Sequence, residues 1–348
     1  MSQDTVDHER MHPVEDRPAW SESYYFNFVD PKTGVGMFTR MGFRPGDGWA
    51  DALHALYLGG SRVAFTYGRR DIGRDLAQYD GDLRVGNLEI KVLESLRRWR
   101  IDYSGPAQDI ADGAILLERS KLRPAGWYRP AQLDMSLVFD CLTEPHFSYS
   151  SSDSAGAHGH FEQSGHVTGM IRLDDETFSV DGYGVRDKSW GPRDWGASQR
   201  EAKPEPGASG GSSGSVFSTP EAPAPFVNWF SMNFGADVAL GGSCFRHRSG
   251  EIRGGGWMLR DGRSHSLTDV VITTTYRDAS ILHETVRLVG RIDGGEMIEI
   301  DGRVLNMCPT KVPMPGGATF INEGLAEFRW NGRTGHGIAE HWHAVAKR

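Results

Sequence analysis

Short runs in which apolar and polar residues alternate recur along most of the chain. In the run 98–103, Trp99, Ile101 and Tyr103 share one face of an extended strand while charged residues occupy the other. Amphipathic stretches long enough for a helix of three or more turns are scarce. The pattern therefore predicts an all-β protein, a sandwich or barrel, rather than an alternating βαβ fold. Similar β-rich runs before the middle of the chain are 24–28, 35–40, 62–67, 83–93, 133–139 and 160–173.

Residues 197–225 interrupt this pattern. They are rich in Gly, Ser and Pro and nearly devoid of large apolar side chains, which is typical of a flexible linker or mobile loop. The β pattern resumes at Phe226 with eight or nine further runs, enough to close a small barrel. We therefore predict a first β domain over 21–196 and a second over 226–348. Residues 1–20 are charged and aperiodic, and are predicted to form a disordered tail.

Composition narrows the classes of function. The chain has 348 residues, which favours two domains, and its formal charge is 38 − 46 = −8. Without a long basic run it is a poor partner for nucleic acid. Three widely spaced cysteines favour a reducing compartment over a disulfide framework. A polar N-terminus, and no apolar run of the roughly 18 residues that a membrane span needs, indicate a cytoplasmic protein, with transient membrane association left open.

Several cofactor and catalytic motifs are absent from the sequence. It contains no Walker A loop, no HExxH, and no GxGxxG between a strand and a helix, so we predict no cofactor. The segment Gly207–Gly211 matches the GxSxG nucleophile pattern. It lies inside the low-complexity stretch, however, without the strand and helix that a nucleophile elbow requires.

Histidines cluster twice, and either group could in principle bind a metal ion. At strand spacing, His341 and His343 share a face while Trp342 points away. We predict no metal site, because a carboxylate ligand from elsewhere in the chain is not evident. A structural or surface role is expected for most of the six histidines. A proton donor or acceptor that one of the two groups supplies to an inter-domain cleft is a stronger interpretation than a metal ligand, since imidazole titrates near neutral pH. The two groups are His158, His160 and His166, and His336, His341 and His343 beside Glu340.

The stretch 181–195 combines glycines, charged side chains and aromatic rings. Gly182 and Gly184 indicate a strand in close contact with a neighbour, and the turn former at 191–192 ends it. Charged and aromatic residues would then lie at the end of the strand, where a binding cleft could use them. The alternative is a structural corner in which Arg–Asp pairs satisfy one another and tryptophans plug a barrel.

The core of this stretch carries a family resemblance. The segment Gly182-Tyr-Gly-Val-Arg-Asp-Lys-Ser-Trp-Gly-Pro-Arg193, preceded by 92–100 and followed by a second β domain, resembles the two-domain lipocalin-like family of carotenoid 1,2-hydratase (hydroxyneurosporene synthase) and AttH-like proteins. The resemblance covers residues 20–348. It implies two calyx-like antiparallel β-barrels packed side by side, with an apolar pocket at or near their interface. Lys188 departs from the histidine that is common at this position.

The resemblance also implies a chemistry. Characterised relatives use cofactor-free, acid-promoted reactions in which a proton adds to an alkene and water or an internal nucleophile captures the cation. Asp187 carries over as the acid, Arg186 as its orienting partner and Trp190 as a wall of the cavity. Burial against tryptophan would raise the pKa of the acid, whereas a tightly paired Arg would lower it. In that case the acid role passes to His341, His160 or Asp194. The aromatic candidates for substrate binding are Tyr183, Trp190, Trp195, Trp229, Phe230 and Trp342.

The function predicted from the sequence is therefore a cofactor-independent lyase or isomerase. It would be a hydratase, dehydratase or cyclase acting on a hydrophobic terpenoid-, polyketide- or steroid-like molecule. The alternative is a non-catalytic carrier of a lipophilic small molecule. A catalyst requires a buried carboxyl or imidazole that faces the ligand, whereas a carrier requires an apolar lining with one or two hydrogen-bonding groups.

Overall fold

A computed structural model describes residues 8–14, 19–148, 158–193, 195–196, 224–247, 249–277, 280–314 and 316–346. The described residues form 19 β-strands and three short 3-10 helices, and no helix among them is long and apolar enough to cross a membrane. The all-β prediction is confirmed. The strands are β1 (Trp20–Val29), β2 (Gly36–Arg44), β3 (Trp49–Tyr57), β4 (Val63–Asp71), β5 (Leu83–Val85), β6 (Leu88–Glu94), β7 (Arg98–Ile110), β8 (Arg129–Cys141), β9 (His146–Ser148), β10 (Gly159–Leu173), β11 (Glu176–Pro192), β12 (Val227–Asn233), β13 (Val238–Arg246), β14 (Ile252–Arg260), β15 (Arg263–Tyr276), β16 (His283–Ile292), β17 (Glu296–Met314), β18 (Gly317–Trp330) and β19 (Arg333–Ala346).

The first eleven strands form one sheet in the order β4-β3-β2-β1-β11-β10-β8-β7-β6-β5, with β9 paired to β10. A further pairing of β4 with β7, from Val63↔Ile110 to Phe65↔Gln108, joins the sheet to itself. Eight of the strands therefore form a ring, the first barrel. Side chains on its inner face, among them Phe26, Trp99 and Phe139, belong to one apolar core.

Strands β12 to β19 form a second closed barrel in sequence order. Its last strand pairs with its first, from Val227↔Trp342 to Asn233↔His336. Each neighbouring pair is joined by a short connection, so this barrel is an antiparallel meander. Turn signals read from the sequence, such as Asp293-Gly294 between β16 and β17, lie where the chain reverses.

The chain divides into two compact units. The first comprises 1–111, 128–193 and 235–239, and the second comprises 112–127, 194–234 and 240–348. The sequence pattern predicts that 112–127 belongs to the first domain instead. The difference arises because Leu117, in the 3-10 helix Gly113–Leu117, packs in a cluster of the second unit. The predicted linker 197–225 lies outside the described residues except for 224 and 225.

The segment 8–14 also differs from the sequence expectation. It forms no strand, yet Glu9 and Met11 are buried, and Met11 joins the core of the first barrel. The backbone N–H of Met11 donates to Asp80 Oδ1 at 2.6 Å. These seven residues therefore pack against the first barrel, whereas the sequence predicts a disordered tail over 1–20.

The close strand contact predicted for the glycines of β11 is present. A Cβ atom at Gly184 would lie 1.7 Å from the carbonyl oxygen of Asn27 in β1, and one at Gly182 would lie 2.5 Å from that of Val29. No side chain fits at either position. The two glycines therefore let β11 pair with β1 over the register Trp20↔Pro192 to Val29↔Tyr183.

Candidate functional site

The charged residues of the stretch 181–192 lie on β11, where successive side chains point to opposite faces. Arg186, Lys188 and Trp190 face the core of the first barrel and are almost completely buried. Asp187 lies on the other face and is partly exposed. Strand geometry therefore separates Arg186 from Asp187, although they are neighbours in the sequence.

Arg186 binds Glu9 rather than Asp187. Its two terminal nitrogens lie 3.0 Å and 2.8 Å from the two carboxylate oxygens of Glu9, and its Nε donates to Gln163 Oε1 at 2.9 Å. The guanidinium carbon is 4.8 Å from the ring centroid of Trp99. Although burial opposes the charged form, the charge of Glu9 raises the pKa of Arg186. The prediction that Arg186 orients Asp187 is therefore corrected.

Lys188 finds its acidic partner in Glu22 of β1. Both side chains are completely buried and form an ion pair, and Nζ lies 4.3 Å from the ring centroid of Tyr24. His12 Nδ1 is 2.9 Å from Glu22 Oε1. Burial raises the pKa of Glu22, but the charge of Lys188 and the hydrogen bond from His12 outweigh it, so the pKa is lowered. A lysine in this position requires such an acid, since a lone buried charge is unstable.

Asp187 belongs to a second polar group, on the other face of the sheet. Its Oδ2 lies 3.1 Å from His160 Nδ1, and its Oδ1 accepts a 2.7 Å hydrogen bond from Ser189 Oγ. The Nε2 of His160 is 2.8 Å from Glu162 Oε1. Pairing of β10 with β11 sets this arrangement, because Glu162 is opposite Asp187 and His160 is opposite Ser189.

The proton of this group resides on the imidazole. Burial opposes the charged ring, but the charges and hydrogen bonds of Asp187 and Glu162 raise the pKa of His160 to about 10. In return, although burial favours its neutral form, the charge of His160 lowers the pKa of Asp187. The raised pKa that an Asp187 acid requires is absent. His160 is therefore the protonated member of the group and Asp187 its carboxylate partner.

The same group brings its possible metal ligands together. The ligand atoms of His160, Glu162 and Asp187 lie within 4.8 Å of one another. The two carboxylates, however, approach opposite nitrogens of a single ring. An ion bound to all three would require the ring to turn. The arrangement fits a charged imidazole shared between two carboxylates.

His341 lies in the second barrel, inside a group of aromatic side chains. Its ring centroid is 3.8 Å from that of His283 and 6.3 Å from that of His343. His283 Nε2 donates to the carbonyl of Ala339 at 2.9 Å. Burial lowers the pKa of His283 to about 3 and that of His341 well below its ordinary value. Both rings are therefore neutral at physiological pH.

Of the aromatic candidates, the structure brings two together. Trp195 and Trp342 stack with ring centroids 5.6 Å apart and an interplanar angle of 8°. Trp229 and Phe230 are adjacent in β12 and point to opposite faces of the second barrel. Tyr183 has its ring 5.1 Å from that of His166. Asp194 lies outside the described residues.

Trp190, the predicted cavity wall, stacks on histidines of the segment 8–14. Its ring centroid is 4.1 Å from that of His12 and 4.8 Å from that of His8. It faces the core side of β11, opposite to Asp187. Sequence reasoning also missed three acids, Glu9, Glu22 and Glu162, that fix the charge state of the stretch. The one signal available was that Arg186 and Lys188 lie two residues apart, on one face of the strand, since cations on a buried face require acids nearby.

Comparison with known proteins supplies a family and a fold. The model of a family described as "Domain of unknown function (DUF7064)" matches residues 5–345. No curated protein sequence matches. An AttH-like protein from Nitrosomonas europaea has a similar structure with a TM-score of 0.56 at 15% identity, covering 96% of this chain and 95% of that chain.

Two further solved structures are similar over most of the chain. CghA in complex with Sch210972 has a TM-score of 0.54 at 13% identity, covering 94% of this chain and 89% of that chain. Kievitone hydratase from Nectria haematococca has a TM-score of 0.50 at 8% identity, with coverages of 92% and 88%. At these identities the likeness shows the fold. The predicted fold class, two lipocalin-like β domains, is confirmed, and the link to carotenoid hydratase stays a prediction.

Proposed function

We propose that this chain, which belongs to the DUF7064 family, is a cofactor-independent hydro-lyase, a hydratase or dehydratase, because it carries a charged imidazole between two carboxylates. The observation that carries this proposal is the contact of His160 with both Asp187 and Glu162. It provides a proton donor and a proton acceptor side by side. The name of kievitone hydratase, whose fold is similar, agrees with this class of reaction.

The group can serve both halves of a dehydration. His160 would give its ring proton to a departing hydroxyl, so that the carbon–oxygen bond breaks and water leaves. One of the carboxylates, Asp187 or Glu162, would take the proton from the adjacent carbon as the double bond forms. Hydration is the same sequence in reverse. All the proton transfers then use side chains within hydrogen-bonding distance of each other.

The pKa of His160 favours chemistry at oxygen. With two carboxylates on the ring, a pKa of about 10 makes the imidazolium a weak acid. A substrate hydroxyl that displaced one carboxylate would lower this pKa toward neutral, where general acid catalysis is most effective. We therefore favour addition and removal of water over direct cyclisation by alkene protonation. The proposed substrate is a hydrophobic terpenoid-, polyketide- or steroid-like alcohol or alkene.

The test uses the purified full chain and a lipophilic extract in water labelled with heavy oxygen. We expect mass spectrometry to reveal compounds that gain or lose one water, with the label incorporated in the hydration direction. Asp187→Asn and His160→Gln should each keep the fold and lower this turnover about 100- to 10,000-fold.

The matched control is His265→Gln in the second barrel. It also removes a histidine–aspartate pair, in which His265 Nδ1 lies 2.8 Å from Asp293 Oδ2. It should react like the wild type. Full turnover by both Asp187→Asn and His160→Gln would remove this group from the mechanism. A bound lipophile that never changes mass with the wild-type protein would instead support the carrier function.

A further inference from the structure

The carboxylate of Glu9 is bound by the guanidinium of Arg186 and by a backbone N–H group. Each of its oxygens faces one terminal nitrogen of Arg186, at 3.0 Å and 2.8 Å, and Oε2 also accepts the backbone N–H of Leu96 at 3.0 Å. The side chains are 4% and 0% exposed. Bidentate pairing with a guanidinium binds a carboxylate strongly and with a defined geometry.

Arg186 is also held by groups other than Glu9. Gln163 Oε1 accepts from Arg186 Nε, and Gln163 Nε2 is itself held by the carbonyls of Leu96 and Thr143, at 3.0 Å and 2.7 Å. The guanidinium also lies 5.0 Å from the ring centroid of Phe161. Strands of the barrel therefore position the cation independently of the acid that it binds.

Glu9, by contrast, comes from the segment 8–14, which pairs with no strand among the described residues. The segment is held by side-chain contacts and by the N–H groups of Met11 and His12, which bind Asp80 and Glu22. A segment without strand pairing opens at lower free energy than the barrel does. When it opens, Arg186 becomes a buried cation without its anion, which costs several kcal/mol.

We propose that the first barrel contains a carboxylate-binding subsite, formed by Arg186 and the N–H of Leu96, which Glu9 fills as an internal ligand. A carboxylic acid with an apolar body can take its place. The aromatic rings of Trp99 and Phe161 beside the guanidinium suit the apolar body of such a ligand. The segment 8–14 then acts as a plug that this ligand displaces. The subsite is on the opposite face of β11 from the proposed catalytic group, so it can be tested separately from turnover.

The first experiment restores the missing anion. In Glu9→Ala the subsite loses its carboxylate, and thermal unfolding is followed while sodium propionate is added, with sodium chloride and propionamide as references. We expect a lower Tm than that of the wild type, and a saturable rise with propionate only. The wild-type Tm should not change with propionate. In Glu9→Ala/Arg186→Met, which lacks the cation as well, the rise should vanish.

The second experiment uses the wild-type chain and does not depend on a variant that folds. Arg10 is exposed between the buried Glu9 and Met11, so trypsin cleavage after Arg10 reports release of the segment. We expect octanoate to accelerate this cleavage several-fold and octanol to leave it unchanged. An unchanged cleavage rate with octanoate would overturn displacement of the segment. A Glu9→Ala protein that responds equally to chloride, propionamide and propionate would overturn the subsite itself.

Discussion

The strand that ends each barrel, β11 in the first and β19 in the second, turns polar side chains toward the interior, but by opposite means. On β11, Arg186 and Lys188 are charged, and each is paired with a buried acid. On β19, His341 is uncharged and stacks on His283 from β16. A buried polar group can thus be retained either by a partner that keeps it charged or by surroundings that keep it neutral.

Buried ion pairs and buried neutral imidazoles differ in what destabilises them. Removal of one member of a buried ion pair leaves the other charge without compensation, so a single substitution has a large effect. A neutral imidazole has no such dependence. Its contribution to stability depends on pH instead, because below the ordinary pKa the imidazole binds a proton in the unfolded chain but not in the folded one.

The largest expected effect is from breaking the Lys188–Glu22 pair. Lys188→Met should lower the free energy of unfolding by about 3–5 kcal/mol, since Glu22 would remain buried with only His12. Lys188→Met/Glu22→Gln should recover most of the loss. Lys91→Met, which removes a half-exposed lysine 3.0 Å from Glu89, should cost less than about 1 kcal/mol. Urea unfolding measures all three, and equal losses for Lys188→Met and Lys91→Met would contradict the role given to burial.

Acid should have the next largest effect, through β16 and β19. His283 titrates with its ordinary pKa of 6.5 when unfolded and at about 3 when folded, and the pKa of His341 is lowered in the same direction. Their contribution to stability is complete above pH 6.5 and declines as pH falls below it. By pH 5.5 the two together should cost about 2–3 kcal/mol.

The measurement compares urea unfolding of the wild type and of His283→Gln/His341→Gln at pH 7.5 and pH 5.5. The acid loss should be smaller in the double variant by about 2–3 kcal/mol. His54 in the first barrel, whose pKa burial lowers to about 3, contributes equally to both proteins and cancels. Glu22, with a pKa lowered from 4.5, keeps its contribution at pH 5.5. An identical acid loss in the two proteins would show that these rings are already charged.

A smaller effect is expected from filling the space beside His283. A Cβ atom at Gly324 in β18 would lie 2.7 Å from His283 Nε2 and 3.0 Å from the carbonyl of Ala339. Gly324→Ala should therefore disturb their hydrogen bond and cost about 1–3 kcal/mol. Gly295→Ala, where the nearest heavy atom lies at 3.8 Å, is the control and should be nearly neutral. Thermal unfolding of the two variants measures this difference. An unchanged stability of Gly324→Ala would mean that His283 can move aside without loss of free energy.

The sequence predicts the fold better than it predicts the site. Alternation of apolar and polar residues, as in 98–103, identifies strands because a half-buried strand requires that period. The glycines of β11 likewise predict a close neighbour, which is β1. The segment 8–14 escaped prediction because its polar composition resembles that of a disordered tail. Its structure depends on Arg186, a residue far along the chain.

Two of the three residues of the candidate site could be predicted from the sequence, but Glu162 and the contacts among the three could not. Asp187 and His160 were both named from the sequence, yet their contact depends on the register of β10 against β11. The assignment of Arg186 to Asp187 failed because adjacent strand residues point to opposite faces. The acid that pairs with Lys188, Glu22 of β1, is revealed only by the fold. The alternation of apolar and polar residues along one strand is visible in its own sequence. The pairing of residues across two strands depends on the register, which neither strand's sequence shows by itself.

The ring closure of the second barrel also affects how the chain folds during synthesis and where it can be circularly permuted. Val227 at the start of β12 pairs with Trp342 in β19, so the barrel cannot close until its last strand has left the ribosome. Until then an open sheet presents two unpaired edges, which favours slow folding and intermolecular pairing. The same closure places the ends of the barrel side by side. A circular permutant that joins them and opens the chain at the turn 293–295 would retain every strand pair while changing the order in which the strands appear.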